Sequence, residues 1–424
     1  MARRTCSTSA TMASTGVCCE CSTDASTRRD RLRSCSAQAY GAAMSAGRAR
    51  PTEAITFRRG TTITILVTAA LTVTACAGTA PSPAPTEPVG EATAERLQAI
   101  LDDAIGDDRT GTAVTVLREG AGTWSAVAGT SDWSRPLEPG AKFEIASTSK
   151  TFIAAVILRF AEVGRLSLDD PIADHLPVDL DFDSSGTTIR DHLAMESGIP
   201  DGSDPLNGEP ERLREPAEVL ATVPDTRREP GTHSYSNLSY YLLGLVIEEV
   251  SGTTTAQAVR AEVLDDPRFD TIVTQPEEQP EPPLALPLAG PGVRKIILDL
   301  GGDLLMTPAE ASAFGGSGNM ASDSEALAVW WYELFSGSIL SDASLAAMTD
   351  VEGDDYGLGL FGRPAVRGVE GAVYANGGRG IGHMSYVLTV PDAGLVVVVL
   401  RNRGGDPEAT LGPLAYQFAA AVGD

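Results

Sequence analysis

The sequence predicts an α+β fold: one antiparallel sheet formed from both chain ends, flanked by helices, with a mostly helical insertion. Two observations predict it. Short apolar or alternating runs joined by tight turns occur at 112–128 and again at 384–400. Between them, from about 148 to about 340, apolar residues recur at helical spacing and are broken by polar loops. Strands at both ends with helices between them are accommodated by one sheet that brings the ends together.

The elements follow in order. Residues 91–105 read as an amphipathic helix. Runs 112–118 and 123–128 flank the turn E-G-A-G and read as a hairpin. A second, stronger hairpin is M-S-Y-V-L-T-V at 384–390, the turn P-D-A-G, and L-V-V-V-V-L at 395–400. Residues 407–422 read as a closing helix. The acidic, Pro-rich stretch 275–287 is expected to be a surface loop. No internal repeat interrupts this order, so 91–424 is read as one unit.

The first ninety residues read differently. Residues 1–57 are rich in Ser, Thr, Ala and Arg, lack an apolar period, and could bury no core. They are expected to be disordered, or to precede a true translation start at Met44 or nearby. Arg58 and Arg59 then lead into a 15-residue run, T-T-I-T-I-L-V-T-A-A-L-T-V-T-A, that stops at Cys76. A basic segment, an apolar segment and small residues before a break form a secretory signal, here over 58–75. The run is short of the ~20 apolar residues that a membrane span needs. Val73-Thr74-Ala75-Cys76 resembles a bacterial lipobox, which implies that Cys76 is lipidated. Residues 76–90 then read as an extended Pro-rich linker holding the domain off the membrane. The expected location is the outer face of the cytoplasmic membrane.

Charge and cysteines narrow the chemistry. Residues 1–75 hold ten of the 32 Lys and Arg but only four of the 57 Asp and Glu. The remainder therefore carries 22 basic and 53 acidic residues. So acidic a body repels nucleic acid, which is excluded as a partner. The six cysteines, at 6, 18, 19, 21, 35 and 76, leave none in the body. That excludes a disulfide scaffold, a cysteine-ligated metal and a cysteine nucleophile there. The first five lack a second ligand pair at zinc spacing. H-E-x-x-H, Walker and dinucleotide glycine patterns are absent from the sequence, and no metal or cofactor is expected.

Three segments could carry chemistry. The first is Ser147-Thr148-Ser149-Lys150, opening the apolar helix T-F-I-A-A-V-I-L-R-F-A. At i and i+3 the hydroxyl and the amine share one helix face. There a nucleophile finds a base, desolvation and unpaired backbone N–H groups. Alternatively Ser147 only caps a helix and Lys150 is solvated. The second is Tyr235-Ser236-Asn237, on a turn before a strong helix pattern. A phenol beside a lysine relays a proton, and an amide orients the lysine and a substrate carbonyl. The same tripeptide shape recurs at Tyr374-Ala375-Asn376, so Y-x-N by itself specifies little. The third segment is Asn376-Gly377-Gly378-Arg379, whose glycines allow close backbone approach at a strand edge. His175, His192 and His233 lack the partners of a Ser–His–Asp triad.

Together these segments, with F-E-I-A-S-T-S-K, G-R-L-S-L-D-D-P-I, P-G-T-H-S-Y-S-N, Y-G-L-G-L and S-L-A-A-M, resemble the serine β-lactamase and D-alanyl-D-alanine carboxypeptidase superfamily. The nearest branch is the class C-like one, which also holds esterases, and the match runs from about Glu91 to the C-terminus. The resemblance implies the β-lactamase/transpeptidase-like fold and makes Ser147 the acylated nucleophile. Lys150 and Tyr235 would share the proton work, and Asn237 would contact Lys150 or the substrate amide. Asn376, Gly377, Gly378 and Arg379 would form the substrate and oxyanion wall, with the N–H groups of Ser147 and Arg379 as donors. The implied reaction is acyl transfer to water from D-Ala-D-Ala-like peptides, β-lactams or small amides and esters, by a monomer. The alternatives are an esterase of the same fold, or a catalytically impaired module that binds cell-wall peptides.

Two departures stand out. Relatives carry Lys or His where this chain has Asn376, and that cation or imidazole helps bind a substrate carboxylate. Arg379 could supply the missing charge. Met195-Glu196-Ser197-Gly198 replaces the H-T-S-G of relatives in a largely structural segment. His383, where relatives often carry an aromatic residue, is read as a cleft residue, a packing residue or an exposed one.

Overall fold

The computed structural model describes residues 83–423, apart from 107, 108, 133, 178, 179, 181, 203–208, 225 and 352–354. The early segment, the signal over 58–75 and Cys76 lie outside the described residues.

Among the described residues, nine strands form two sheets. They are β1 (Thr112–Arg118), β2 (Gly122–Ala128), β3 (Phe143–Glu144), β4 (Val273–Thr274), β5 (Met320–Ser322), β6 (Phe361–Arg363), β7 (Val373–Arg379), β8 (Met384–Val390) and β9 (Leu395–Arg401). The main sheet runs β2-β1-β9-β8-β7-β6 and is antiparallel throughout. The expected union of the chain ends is the β1–β9 ladder, from Thr112 opposite Arg401 to Arg118 opposite Leu395.

The unbroken apolar run of β9 follows from burial on both faces. Val396, Val398 and Leu400 join one core with Phe152, Trp330 and Leu243 of the helical layer. Leu395, Val397 and Val399 join the other with Leu97, Leu101, Leu414 and Phe418 of the terminal helices Glu91–Ile105 and Gly412–Ala421. The period of two is intact, but both faces are covered, so both phases are apolar. Each fully buried Val or Leu contributes about 1.5–3 kcal/mol. Phe152 and Trp330 stack at 3.7 Å between ring centroids at the centre of the larger core.

Three expectations need correction. Residues 83–90 are not wholly a free spacer: the Thr123 N–H donates to the Glu87 carbonyl at 2.7 Å, and Ala84 and Val89 are buried. Docking onto β2 satisfies backbone groups and covers apolar side chains. The stretch 275–287 is not wholly a surface loop, since Gln275, Leu284, Ala285 and Leu286 are buried. Hydrogen bonds from the Lys142 N–H to the Pro283 carbonyl and from the Ala285 N–H to the Lys142 carbonyl pin it inside. The second sheet, β3-β5-β4, was not expected at all. Its strands of two or three residues are too short for a period to show.

Candidate active site

The turn that carries Ser147 is built where β3 ends. Ala146–Thr148 form a 3-10 turn and the helix Ser149–Glu162 follows. Ala146 has φ +46°, left-handed for a residue with a Cβ, at a cost of about 1–3 kcal/mol. Neighbouring bonds hold this strained turn. Ser149 Oγ donates to the Ala146 carbonyl at 2.6 Å, and Ser385 Oγ donates to the Ile145 carbonyl at 2.6 Å. Thr148 Oγ1 and Ser385 Oγ lie 2.8 Å apart. Ser147 is thus presented at the cleft wall by a turn fastened to both the helix and the sheet.

Lys150 is fully buried one turn later. Its Nζ donates to Ser147 Oγ at 3.0 Å, Asn237 Oδ1 at 2.8 Å and the Ser317 carbonyl at 2.6 Å. Three acceptors match the three donors of an ammonium group. The shared face expected of Ser147 and Lys150 is present.

Tyr235 and Asn237 converge on the same point from the start of the helix Asn237–Ser251. Tyr235 OH donates to Ser147 Oγ at 2.9 Å. Ser236 caps that helix, its Oγ accepting from the Ser239 N–H, so the Asn237 side chain is released for other bonds. Asn237 Nδ2 donates to Asp201 Oδ2 at 3.2 Å while its Oδ1 takes the lysine. A second bond, from the Asn237 backbone N–H to Asp201, fixes the pair further.

The third segment lies on β7, and its residues face two ways. β6 pairs only with Val373, Tyr374 and Ala375, so residues 376–379 are outside that pairing. Gly377 and Arg379 line a cleft of about 260 Å³ together with Ser147, Tyr235, Asn237 and Ser317. Gly378 points the other way. A Cβ there would lie 2.1 Å from the Ile145 carbonyl, so glycine is what lets β7 approach the turn that carries Ser147. Asn376 is the main correction. It was expected on the substrate wall, yet it is 2 % exposed and faces the helical layer. Its Nδ2 donates to Thr151 Oγ1 at 3.0 Å and to the Gly359 carbonyl at 2.9 Å, and lies 3.5 Å from the Ser147 carbonyl oxygen. The cause is strand alternation: residues 376 and 378 share the inward face, and 377 and 379 share the cleft face.

Sequence reasoning missed Asp201 and Ser317. Asp201 carries no spacing signal and meets Asn237 only through the fold. Ser317 sits in F-G-G-S-G-N, where the glycines were a clue to close approach. A Cβ at Gly316 would lie 2.7 Å from the Tyr240 carbonyl.

A sheet joining both chain ends, with Ser147 beside a buried Lys150 and a Tyr on one cleft, defines the β-lactamase/transpeptidase-like class. The chain belongs to the Beta-lactamase family, whose family model matches residues 94–421. It is 33% identical over 128 residues to Protein flp of Staphylococcus aureus, which is 28% of this chain and 26% of that protein. The matched stretch thus spans about a quarter of that relative. The D-amino acid amidase of Ochrobactrum anthropi, solved with L-phenylalanine amide, superposes with TM-score 0.65 at 21% identity, over 78% of this chain and 98% of that one. The octameric penicillin-binding protein homologue of Pyrococcus abyssi gives 0.62 at 23% identity, over 77% and 76%. At such identities the likeness is one of fold.

Proposed function

We propose that this chain is a serine hydrolase acting through an acyl-enzyme on Ser147. The observation that carries the reading is the placement of Ser147 Oγ, 3.0 Å from Lys150 Nζ and 2.9 Å from Tyr235 OH. In the productive form a neutral Lys150 or an ionised Tyr235 takes the Ser147 proton as Oγ attacks the carbonyl. The N–H groups of Ser147 and Arg379 receive the oxyanion. The same Tyr–Lys pair returns the proton to the leaving amine or alkoxide, and water then releases the acid.

The substrate class is small amides, esters and D-aminoacyl peptides rather than carboxylate-bearing β-lactams. Asn376 is buried and carries no charge, and Asp406 and Glu408 line the cleft. Such a wall disfavours a second carboxylate. Arg379 on the same wall is the cation a carboxylated substrate would use. If Arg379→Ala leaves KM for such substrates unchanged, that assignment is wrong. Anchoring through Cys76 at the outer face of the cytoplasmic membrane and action as a monomer belong to the same proposal. The anchor is supported by Arg58-Arg59, the apolar run and the small residues before Cys76.

The test is covalent labelling of the purified protein with a fluorescent penicillin and, separately, a fluorophosphonate, with Ser147→Ala as control. Labelling by both at Ser147 indicates a penicillin-recognising enzyme. Fluorophosphonate labelling alone indicates an amidase or esterase, the result expected here. Labelling by neither sinks the hydrolase reading and favours a cell-wall peptide-binding module.

A further inference from the structure

His383 is one of four histidines and is fully buried, outside the Ser–Lys–Tyr cluster. Its Nε2 lies 2.6 Å from the Ala285 carbonyl oxygen, and its Nδ1 lies 3.2 Å from Glu144 Oε2. A carbonyl and a carboxylate both only accept, so the ring links the two as a donor at both nitrogens. Phe143 packs edge-on against the ring at 6.1 Å. A buried carboxylate–imidazole contact of this kind requires a satisfied partner on each side, and both partners are present.

The position of the pair gives it meaning. Glu144 ends β3, three residues before Ser147. His383 follows the turn that leaves β7 after Arg379, and the Gly380 N–H donates to the His383 carbonyl at 2.9 Å. A Cβ on Gly380 would lie 2.2 Å from the Glu144 carboxylate, so that carboxylate rests directly against the residue after Arg379. On the far side, a Cβ on Gly382 would lie 2.0 Å from Pro287 Cβ. The turn 380–383 is therefore gripped between Glu144 and Pro287. The two chain segments joined by the pair are those carrying Ser147 and Arg379.

We propose that Glu144 and His383 are positioning residues that fix the spacing between the two oxyanion donors, the backbone N–H groups of Ser147 and Arg379. The inference rests on the acyl-enzyme reading above. The pair touches neither the nucleophile nor its base. It acts by holding the end of β7 in register with the nucleophile turn. Donors aimed at a developing charge tolerate little displacement, and a shift near 1 Å costs on the order of 10²-fold in rate.

The test uses the full-length protein and three variants. His383→Leu keeps the volume and removes the hydrogen bonds. His383→Asn places an amide nitrogen near the Nδ1 position and restores the bond to Glu144. Glu144→Gln keeps size and loses charge, and carries the test if His383→Leu does not fold. The readouts are the fluorophosphonate labelling rate at Ser147, kcat and KM for p-nitrophenyl butyrate, and inhibition by phenylboronate, which mimics the tetrahedral state. His383→Leu is expected to lower labelling rate and kcat by ~10- to 100-fold, with KM within about twofold. Phenylboronate inhibition weakens by a similar factor, Glu144→Gln shows a smaller loss, and His383→Asn recovers most of the rate. A folded His383→Leu within twofold of the native rate overturns the proposal. So do equal losses in the Leu and Asn variants, which would mean packing alone. If the native protein does not label at Ser147, the hydrolase reading itself has failed, and this inference falls with it.

Discussion

Residues 235–237 and 374–376 share the pattern Tyr-x-Asn and do opposite things. In the first, the chain is turning into a helix, and Tyr235 and Asn237 converge on the Ser147–Lys150 pair. In the second, the same residue types lie two apart on β7, so both point to the helical layer. Tyr374 stacks on Phe335 at 5.5 Å, and Asn376 ties β7 to Thr151 and Gly359. One tripeptide meets the Ser147–Lys150 pair and the other is a fastening within the fold. The backbone state beneath them makes the difference, because a strand sends i and i+2 one way while a helix start can aim them at a common point.

The widest separation is expected from the two tyrosines. Tyr235→Phe removes a hydroxyl bonded to Ser147 and is expected to lower the fluorophosphonate labelling rate by ~10²-fold or more, the scale of a lost proton-transfer group. Tyr374→Phe leaves that rate within about twofold. Equal effects would erase the contrast. The glycines of the third segment come next. Gly378→Ala meets the Ile145 carbonyl at 2.1 Å, where backbone must move, so labelling slows at least ~10-fold and Tm falls. Gly377→Ala meets only side chains, at 3.3–3.4 Å, and is expected to fold and label nearly as the native protein. A Gly378→Ala protein with native rate would mean that β7 does not set the geometry of the turn that carries Ser147.

Asn376 gives a smaller effect of a different kind. Asn376→Ala removes a donor to Thr151 Oγ1, the Gly359 carbonyl and the Ser147 carbonyl, but Thr151 Oγ1 still donates to the Gly359 carbonyl at 2.8 Å, so the cost is that of lost hydrogen bonds, on the order of 1 kcal/mol each. The expected outcome is a lower denaturation midpoint, read by circular dichroism in urea, with KM for carboxylated substrates unchanged. A raised KM with unchanged stability would return Asn376 to the substrate wall.

These contrasts mark what the sequence could convey. The sheet was legible because β8 and β9 are long and their turn is explicit. Ser147 and Lys150 were legible because their meeting is local, one helical turn apart. The meeting of Tyr235 and Asn237 with that pair was legible only through family resemblance, since 88 and 87 residues separate the partners. Asn376 was misplaced although strand alternation was available: a strand putting Gly377 and Arg379 in the cleft must put Asn376 and Gly378 behind it. Asp201 and the Glu144–His383 contact were not legible, because each joins segments that only the finished fold brings together. The docking of 83–90 was hidden for a related reason, as a Pro-rich composition does not say which carbonyls find a strand edge.

The last prediction asks whether the surroundings of the third segment are as closed as its role as a fastening requires. Glu310 lies beside Ile381 and Gly382 of the turn after β7. Burial pushes its carboxyl up to about 7, with the Glu144 charge adding to the rise and the Thr307 N–H holding part of it back. The folded chain therefore keeps a proton that the unfolded chain releases near pH 4.5. Stability from this group is greatest below that pH, falls as pH rises to about 7, and is flat above. The span is on the order of 3 kcal/mol. Glu310→Gln keeps an acceptor for the Thr307 N–H and carries no titrating proton. Urea midpoints of the variant should decline less than those of the native protein between pH 5 and pH 8. Parallel curves would show that water reaches Glu310, and the wall behind β7 would then be open where the close contacts at Gly380 and Gly382 require it to be shut.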